Sequence, residues 1–144
     1  MYKYFLLGFF TLFTASLANA QACDNAKITI QNVSAHSLEV STVNSKNISG
    51  IADGLIIGCG EQISATIGDS DDIDKTSITL KTDDGETIQF TTFFRQHSNA
   101  GICIGRIPAC PGFLKISNKE KYTVASDVQN GNPAEVTFYV LDMQ

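Results

Sequence analysis

The chain has 144 residues, of which 43% are hydrophobic and 17% charged, and its formal net charge is −5 with four cysteines and no tryptophan. This length suits one domain with a core of its own. The acidic balance and the presence of two arginines argue against a nucleic-acid-binding surface, which needs clustered lysine and arginine. The same balance argues against attachment to anionic lipid by overall charge.

The first twenty residues have the pattern of an export signal. Lys3 gives a short positive region, Phe5–Phe13 is an apolar run, and Ala18-Asn19-Ala20 is a small-residue cleavage site. We therefore predict a cleaved secretory signal peptide over 1–20 and a single domain over 21–144, secreted or periplasmic. The apolar run is shorter than the ~20 residues that cross a bilayer, and no later segment approaches that length, so no transmembrane segment is expected.

Alternation of apolar and polar residues dominates the rest of the sequence. This period of two, together with β-branched residues, is typical of strands with one buried face. The predicted strands cover 27–33, 38–41, 62–67, 76–82, 87–94, 113–117, 122–128 and 136–140. About eight short strands predict an all-β, single-domain antiparallel β-sandwich, and the pattern fits an immunoglobulin-like or a jelly-roll arrangement equally well. The glycine-rich segment 50–60 has room for one short helical turn at most.

Two turn signals separate the predicted strands most clearly. Asp83-Asp84-Gly85 lies between two alternating runs, and Asp-Gly favours the positive φ of a tight hairpin turn. Asn130-Gly131-Asn132-Pro133 is a second break. We therefore expect the strands on each side of Asp83-Asp84-Gly85 to pair as a hairpin.

The four cysteines predict two disulfides, because their number is even and the predicted compartment is oxidising. If the first three strands form a meander, the first and third begin at the same end, which predicts a Cys23–Cys59 bond. Cys103 and Cys110 flank a short loop that a second bond closes. Zinc is the alternative for four thiolates, but paired C-x-x-C spacing is missing.

An acidic segment between two predicted strands is a weak candidate for calcium. It places Asp69, Asp71, Asp72 and Asp74 within six residues, and calcium prefers carboxylate and carbonyl oxygens. The segment lacks the glycine and glutamate of an EF-hand loop. A solvated turn is therefore favoured over a metal site, and no cofactor is expected.

The two histidines do not define a catalytic site. His36 lies in a predicted turn and His97 in a predicted loop. The sequence contains neither the G-x-S-x-G nor the H-E-x-x-H pattern, and a histidine beside a serine in sequence does not establish a triad. We predict that the protein is not an enzyme, and we keep a small secreted hydrolase built on loop residues as one alternative.

The segment 95–112 is the predicted interaction surface. It contains Arg95 and Arg106, which are the two arginines of an otherwise acidic chain, together with His97. Arginine suits planar recognition of carboxylates, and a constrained loop on a rigid scaffold is a common binding site. The leading functional prediction is therefore a non-enzymatic binding module for a protein or cell-surface ligand.

Three phenylalanines in one strand raise a lipid alternative. Strict alternation buries Phe90 and Phe94 together, or Phe93 alone. Either a covered strand or an exposed phenylalanine follows, and the latter predicts a lipid- or membrane-active β-sandwich that uses Phe93 or Phe94. Two glycosylation sequons begin at Asn32 and Asn47, and they matter where the host glycosylates.

Overall fold

The computed structural model describes residues 25–68, 74–99, 102–106, 114–131 and 133–144, and for 74, 95–99 and 102–106 it describes the backbone alone. The predicted signal peptide, 1–20, lies outside these ranges. The described residues contain no helix, and so none that is long and apolar enough to cross a membrane. The glycine-rich segment 50–60 holds two turns and a two-residue strand in place of a helical turn.

The described strands are more numerous than the eight that were predicted, because two are very short and one lies in a predicted loop. They are β1 (Ala26–Asn32), β2 (Leu38–Asn44), β3 (Ile48–Ser49), β4 (Ile56–Ile57), β5 (Gln62–Ile67), β6 (Asp74–Thr82), β7 (Thr87–Asn99), β8 (Ile102–Arg106), β9 (Leu114–Ile116), β10 (Tyr122–Gln129) and β11 (Glu135–Asp142).

These strands form two sheets, which confirms the predicted all-β sandwich. A five-stranded sheet has the order β10-β11-β1-β5-β3, and a six-stranded sheet has the order β4-β2-β6-β7-β8 with β9 paired to β7. Pairing is antiparallel except between β1 and β11, which run parallel from Lys27 opposite Glu135 to Asn32 opposite Val140. The predicted sandwich was antiparallel throughout, and the parallel β1–β11 pair departs from that prediction.

The core lies between the two sheets and is built from the residues that alternation predicted. The five-stranded sheet contributes Ile28, Ile30, Ala65, Ile67, Val136, Phe138 and Val140, and the six-stranded sheet contributes Leu38, Val40, Ile78, Leu80, Ile88, Phe90 and Phe94. Phe90 stacks on Phe138, with ring centroids 4.3 Å apart. Each of these side chains is removed from water, which is the main stabilising contribution to the fold.

The predicted meander of the first three strands is wrong. β2 lies in the other sheet, while β5 pairs directly with β1 in antiparallel register from Ala26 opposite Ile67 to Gln31 opposite Gln62. The start of β5 therefore lies beside the end of β1. The turn that precedes β5 is fixed there by the amide of Gly60, which donates to the carbonyl oxygen of Asn32 at 2.8 Å.

This register also overturns the predicted Cys23–Cys59 disulfide. Cys59 is exposed, has no disulfide partner among the described residues and lies beside the end of β1, whereas the sequence position of Cys23 is before its start. Ala26 and Gln31 are about 17 Å apart along the strand, and three residues before Ala26 reach at most about 10 Å. In the second predicted pair, Cys110 and the side chain of Cys103 lie outside the described residues, so the structure supports no disulfide of the predicted framework.

Candidate functional site

The candidate site lies on the outer face of the six-stranded sheet and depends on a β-bulge in β2. The register of β2 on β6 shifts between Val40 and Thr42. Before the bulge, Leu38 and Val40 face the core; after it, Asn44 lies opposite Ser77 and is exposed. A bulge inserts one residue and so exchanges the faces of the residues that follow. It brings the Asn44 side chain to the outer face.

Strands β6 and β7 supply the centre of the same face by regular alternation. Their core residues are Thr76, Ile78, Leu80, Ile88, Phe90, Thr92 and Phe94, so the residues between them point outward. Phe93 lies opposite Lys75, and Thr91 lies opposite Ser77. On the far side of β7, the register of β9 places Lys115 opposite Gln89.

These outward residues line a groove of about 450 Å³, which we call the outer groove. Its lining consists of Asn44 of β2, Lys75 and Ser77 of β6, Gln89, Thr91 and Phe93 of β7, and Lys115 of β9. The volume lies within the range of about 300–1,000 Å³ that is common for small-ligand sites. A half-buried aromatic ring, neutral polar groups and two ammonium groups thus share one concave surface.

Some polar groups of the outer groove remain available for a ligand. The Ser77 and Thr91 hydroxyls are hydrogen-bonded to each other at 3.1 Å, and Gln89 Nε2 donates to Thr79 Oγ1 at 3.3 Å. Within the described part of the chain, the side-chain amide of Asn44 has no hydrogen-bond partner. It therefore has free donors and an acceptor toward the groove.

The electrostatics of the outer groove differ from those of the whole protein. The formal net charge of the chain is −5, yet the described residues that line the groove include two lysines and no carboxylate. Neither Lys75 nor Lys115 forms an ion pair with another described residue. The groove is therefore a locally positive surface on an acidic protein.

A second polar region, which we call the polar end, lies where β1, β6, β10 and β11 begin or end. It contains His36, Asp83, Asp84, Lys121 and Tyr122. His36 Nδ1 is 2.6 Å from Asp83 Oδ1, and the Tyr122 hydroxyl donates to Asp84 at 3.0 Å. Thr82 Oγ1 and the Lys121 ammonium also donate to the Asp84 carboxylate. None of these contacts was predicted; except for the Thr82–Asp84 bond, the partners are far apart in sequence.

The hydrogen bonds of the polar end shift the pKa values of its members. The Lys121 ammonium and the Thr82 hydroxyl hold the pKa of Asp84 well below its usual value of 3.8. The bond from His36 and the amide of Ser37 lower the pKa of Asp83. Burial, followed by the hydrogen bond to Asp84, raises the pKa of Tyr122 to about 12. Both carboxyl groups are therefore ionised, and the tyrosine is neutral, at physiological pH.

The polar end is better suited to holding the fold than to chemistry. Ligand atoms of His36, Asp83 and Asp84 lie within 4.8 Å of one another, but a metal ion would have to displace donors already bound to Asp84. His36 bonds to a carboxylate, as in a hydrolase triad, yet among the described residues no hydroxyl group is hydrogen-bonded to its ring. The arrangement joins three chain segments through hydrogen bonds.

The predicted interaction residues lie in strands, so the prediction that they lie in a loop is wrong. Arg95 and His97 belong to the long strand β7, and Arg106 ends β8. The backbone register places Arg95 opposite Arg106 and His97 opposite Ile104. We call the paired strand segments 95–99 and 102–106 the 95–106 ribbon; β6 is described from Asp74, which lies opposite Phe94. Positions 107–112 of the predicted surface lie outside the described residues.

The weak calcium candidate is mostly beyond the described part of the chain. Asp69, Asp71 and Asp72 lie outside it, and Asp74 is described by its backbone, which begins β6 opposite Phe94.

The sequence did not decide which of Phe93 and Phe94 is buried and which is exposed. The structure resolves this, since Phe94 is 1% exposed in the core and Phe93 lines the outer groove.

The comparisons with known proteins give a fold but no family. No protein-family model matches the chain, and no curated protein sequence does. Among solved structures, the chain is similar to the crystal structure of the lipid binding protein Nakanori, with a TM-score of 0.55 at 8% sequence identity over 83% of this chain and 72% of the other. At this identity the likeness concerns the β-sandwich fold alone.

Proposed function

We propose that this protein is a non-enzymatic binding module that holds a lipid headgroup in the outer groove. The observation that carries the proposal is a half-buried Phe93 among polar groups and two lysines on one concave sheet face. Ligand sites commonly combine apolar contact area with a few polar groups that orient the ligand. The similarity in fold to a lipid binding protein supports the proposal as context.

The arrangement of the groove matches the two parts of a lipid at a membrane surface. The Asn44 amide and the ammonium groups can bind the polar headgroup, while the Phe93 ring can contact the apolar region beneath it. Aromatic residues favour this boundary because one face of the site is wet and the other apolar. Phe94, the other candidate from the sequence, is buried and cannot take this role.

The predicted export of the protein supports the proposed lipid binding. The pattern of residues 1–20 supports passage through a membrane, after which the domain meets lipid surfaces in the periplasm or outside the cell. The chemistry required is binding, and we assign no catalytic role to His36 or His97.

Vesicle co-sedimentation tests the proposal. The protein is purified from the exported fraction, its N-terminus is established by intact mass, and it is mixed with vesicles of phosphatidylcholine and phosphatidylglycerol in equal parts. We expect binding of the parent, and about tenfold weaker binding for Phe93→Ala, because replacing this half-buried phenylalanine removes apolar contact area with the lipid. Val33→Ala is the matched control, since Val33 is 50% exposed away from the groove. Absence of parent binding, or equal binding by Phe93→Ala, would overturn the proposal.

A protein or cell-surface partner is the second candidate, and the 95–106 ribbon is the observation that favours it. Its register sets the two arginines opposite one another, and arginine pairs are well suited to carboxylate-bearing partners. Parent protein immobilised for capture from host surface extract should retain a partner that Arg95→Ala and Arg106→Ala both lose by at least tenfold. Capture that both variants retain would exclude the ribbon as the interface.

A further inference from the structure

The two lysines of the outer groove occupy opposite corners of it. Lys75 lies opposite Phe93 on the β6 side of β7, and Lys115 lies opposite Gln89 on the β9 side. Gln89 and Phe93 are four residues apart, which is about 13 Å along a strand, and two strand spacings add about 10 Å across the sheet. The long lysine stems can therefore lean inward from both corners toward the middle of the groove.

We propose that the outer groove recognises a phosphate group, with Lys75 and Lys115 binding its oxygens from opposite sides. The inference rests on the proposed function, because it names the chemical class of the headgroup. Lysine is an established phosphate ligand that acts as a point charge with three donors. The described lining contains no carboxylate that would repel the phosphate or neutralise the lysines.

The neutral groups of the groove suit the rest of a phosphorylated headgroup. The Asn44 amide lies beside the paired hydroxyls of Ser77 and Thr91 in one row across β2, β6 and β7. An amide offers donors and an acceptor, and each hydroxyl has a further lone pair. These groups can bind the hydroxyls of a polyol attached to the phosphate. A phosphoglycerol headgroup therefore fits better than a headgroup that ends in a quaternary ammonium group.

The acidic character of the whole chain does not oppose a local phosphate site. The argument against anionic lipid concerns attraction by net charge, whereas the groove has two lysines in its own lining. At physiological ionic strength the screening length is about 8 Å, so distant exposed carboxylates contribute little. The expected binding is local and sensitive to the lysines that line the groove.

The experiment compares lysines inside and outside the groove. Binding of the parent and of Lys75→Gln, Lys115→Gln and Lys81→Gln is measured on vesicles of phosphatidylcholine alone and with phosphatidylglycerol. Lys81 is the matched control, because it follows Lys75 on the same outward side of β6, is exposed, and does not line the groove. We expect the parent to prefer phosphatidylglycerol, and each groove variant to lose about fivefold in affinity while the control stays within twofold.

Different outcomes overturn different claims. If the parent binds both vesicle types equally and the groove variants bind like the parent, the phosphate site is wrong while the lipid-binding function stands. If the parent binds neither, the lipid-binding function is wrong, and glycerol phosphate and inorganic phosphate are then titrated in solution by NMR. Saturable shifts at Lys75 and Lys115 that are absent in the double variant support a site for a free phosphate compound. Absence of such shifts overturns the phosphate site as well.

Discussion

The polar end and the outer groove both contain polar and charged side chains, but these side chains differ in how many hydrogen bonds they make within the fold. At the polar end, the Asp84 carboxylate accepts bonds from Thr82, Lys121 and Tyr122. In the outer groove, the Asn44 amide and two lysines have no side-chain partner among the described residues. A polar group whose hydrogen bonds are complete supports the fold, whereas an exposed one that is incomplete is available for a ligand.

The difference follows from where each region lies in the fold. The polar end gathers chain segments that leave the sheets, so their free backbone groups need side-chain partners. The amide of Ala35, for example, donates to Asp142 Oδ2 at 2.7 Å, and the amide of Ser37 donates to Asp83 Oδ2 at 3.2 Å. Within the groove the backbone is paired by the sheet itself, so the side chains are not required for this purpose.

The largest expected effect comes from Asn32→Ala. Asn32 is fully buried, and its Nδ2 donates to the carbonyls of His36, Ile57 and Gly58 while its Oδ1 accepts from the Ser34 amide and hydroxyl. Removing this amide leaves several buried groups unpaired, at about 1–3 kcal/mol each before relaxation. We expect the free energy of unfolding to fall by about 3 kcal/mol or more, measured by urea denaturation.

Asn44→Ala is the control that sharpens the comparison. It is the same substitution at an exposed groove residue, and we expect a change within about 0.5 kcal/mol. Equal losses for the two variants would contradict the distinction between a buried amide with complete hydrogen bonds and an exposed amide without a partner. The burial of Asn32 also answers the sequon question there, since a sugar on this amide is incompatible with its hydrogen bonds.

The second prediction concerns acid stability and Asp84. Its pKa in the fold is below the ordinary value of 3.8, because Lys121 and Thr82 donate to the carboxylate. A lowered pKa means that the fold favours the ionised form, so this stabilisation is present above about pH 4 and is lost as the pH falls through the folded pKa. Urea denaturation from pH 7 to pH 2 should show a flatter acid decline for Asp84→Asn than for the parent.

Asp127→Asn provides the comparison for that experiment. Asp127 is an exposed residue of β10, and its substitution should leave the acid decline of the parent unchanged. Parallel declines for the parent and Asp84→Asn would show that the polar end does not stabilise the fold through this carboxylate.

The sequence predicted the fold class and the core well, because both follow from local alternation. Strand β5 was predicted with its observed bounds, Gln62–Ile67, and the Asp83-Asp84-Gly85 turn joins β6 to β7 with Gly85 at a φ of 93°. Strand order was not accessible in this way. The predicted meander assumed that neighbours in sequence are neighbours in a sheet, whereas β1 and β2 lie in different sheets. The Cys23–Cys59 error followed from that assumption.

The candidate site could be predicted in part. The outward positions of β6 and β7 follow from alternation, so Ser77, Gln89 and Thr91 were accessible as one polar face, whereas Lys75 precedes the predicted strand 76–82. Asn44 was not, since the bulge after Val40 reverses its face. Lys115 required knowledge that β9 pairs with β7, and the His36–Asp83 contact joins residues 47 apart in sequence. These contacts depend on pairing between segments that are distant in sequence, and local sequence patterns do not specify such pairing.

The third prediction concerns two buried hydroxyl groups of the core, one with a hydrogen-bond partner and one without. Thr92 is 4% exposed, and its Oγ1 has no hydrogen-bond partner among the described residues. A buried hydroxyl without a hydrogen-bond partner destabilises the fold, whereas an exposed hydroxyl can bond to water. Thr92→Val keeps the shape and removes the hydroxyl, so we expect stabilisation by about 1 kcal/mol in urea denaturation. Thr76→Val is the control; Thr76 faces Thr92 in the register, but its hydroxyl donates to Ser45 at 2.8 Å, so this change should destabilise.

The smallest expected effect concerns the stability of the groove variants, and it bears directly on the proposed function. Lys75 and Lys115 have no ion-pair partner among the described residues, so replacing both with glutamine breaks no observed contact. We expect the free energy of unfolding to stay within about 0.5 kcal/mol of the parent at physiological pH. Two lysines that affect vesicle binding and leave stability unchanged are free for a ligand. A loss of about 2 kcal/mol in the double variant would instead mean that the lysines support the sheet, and the two regions would no longer differ in kind.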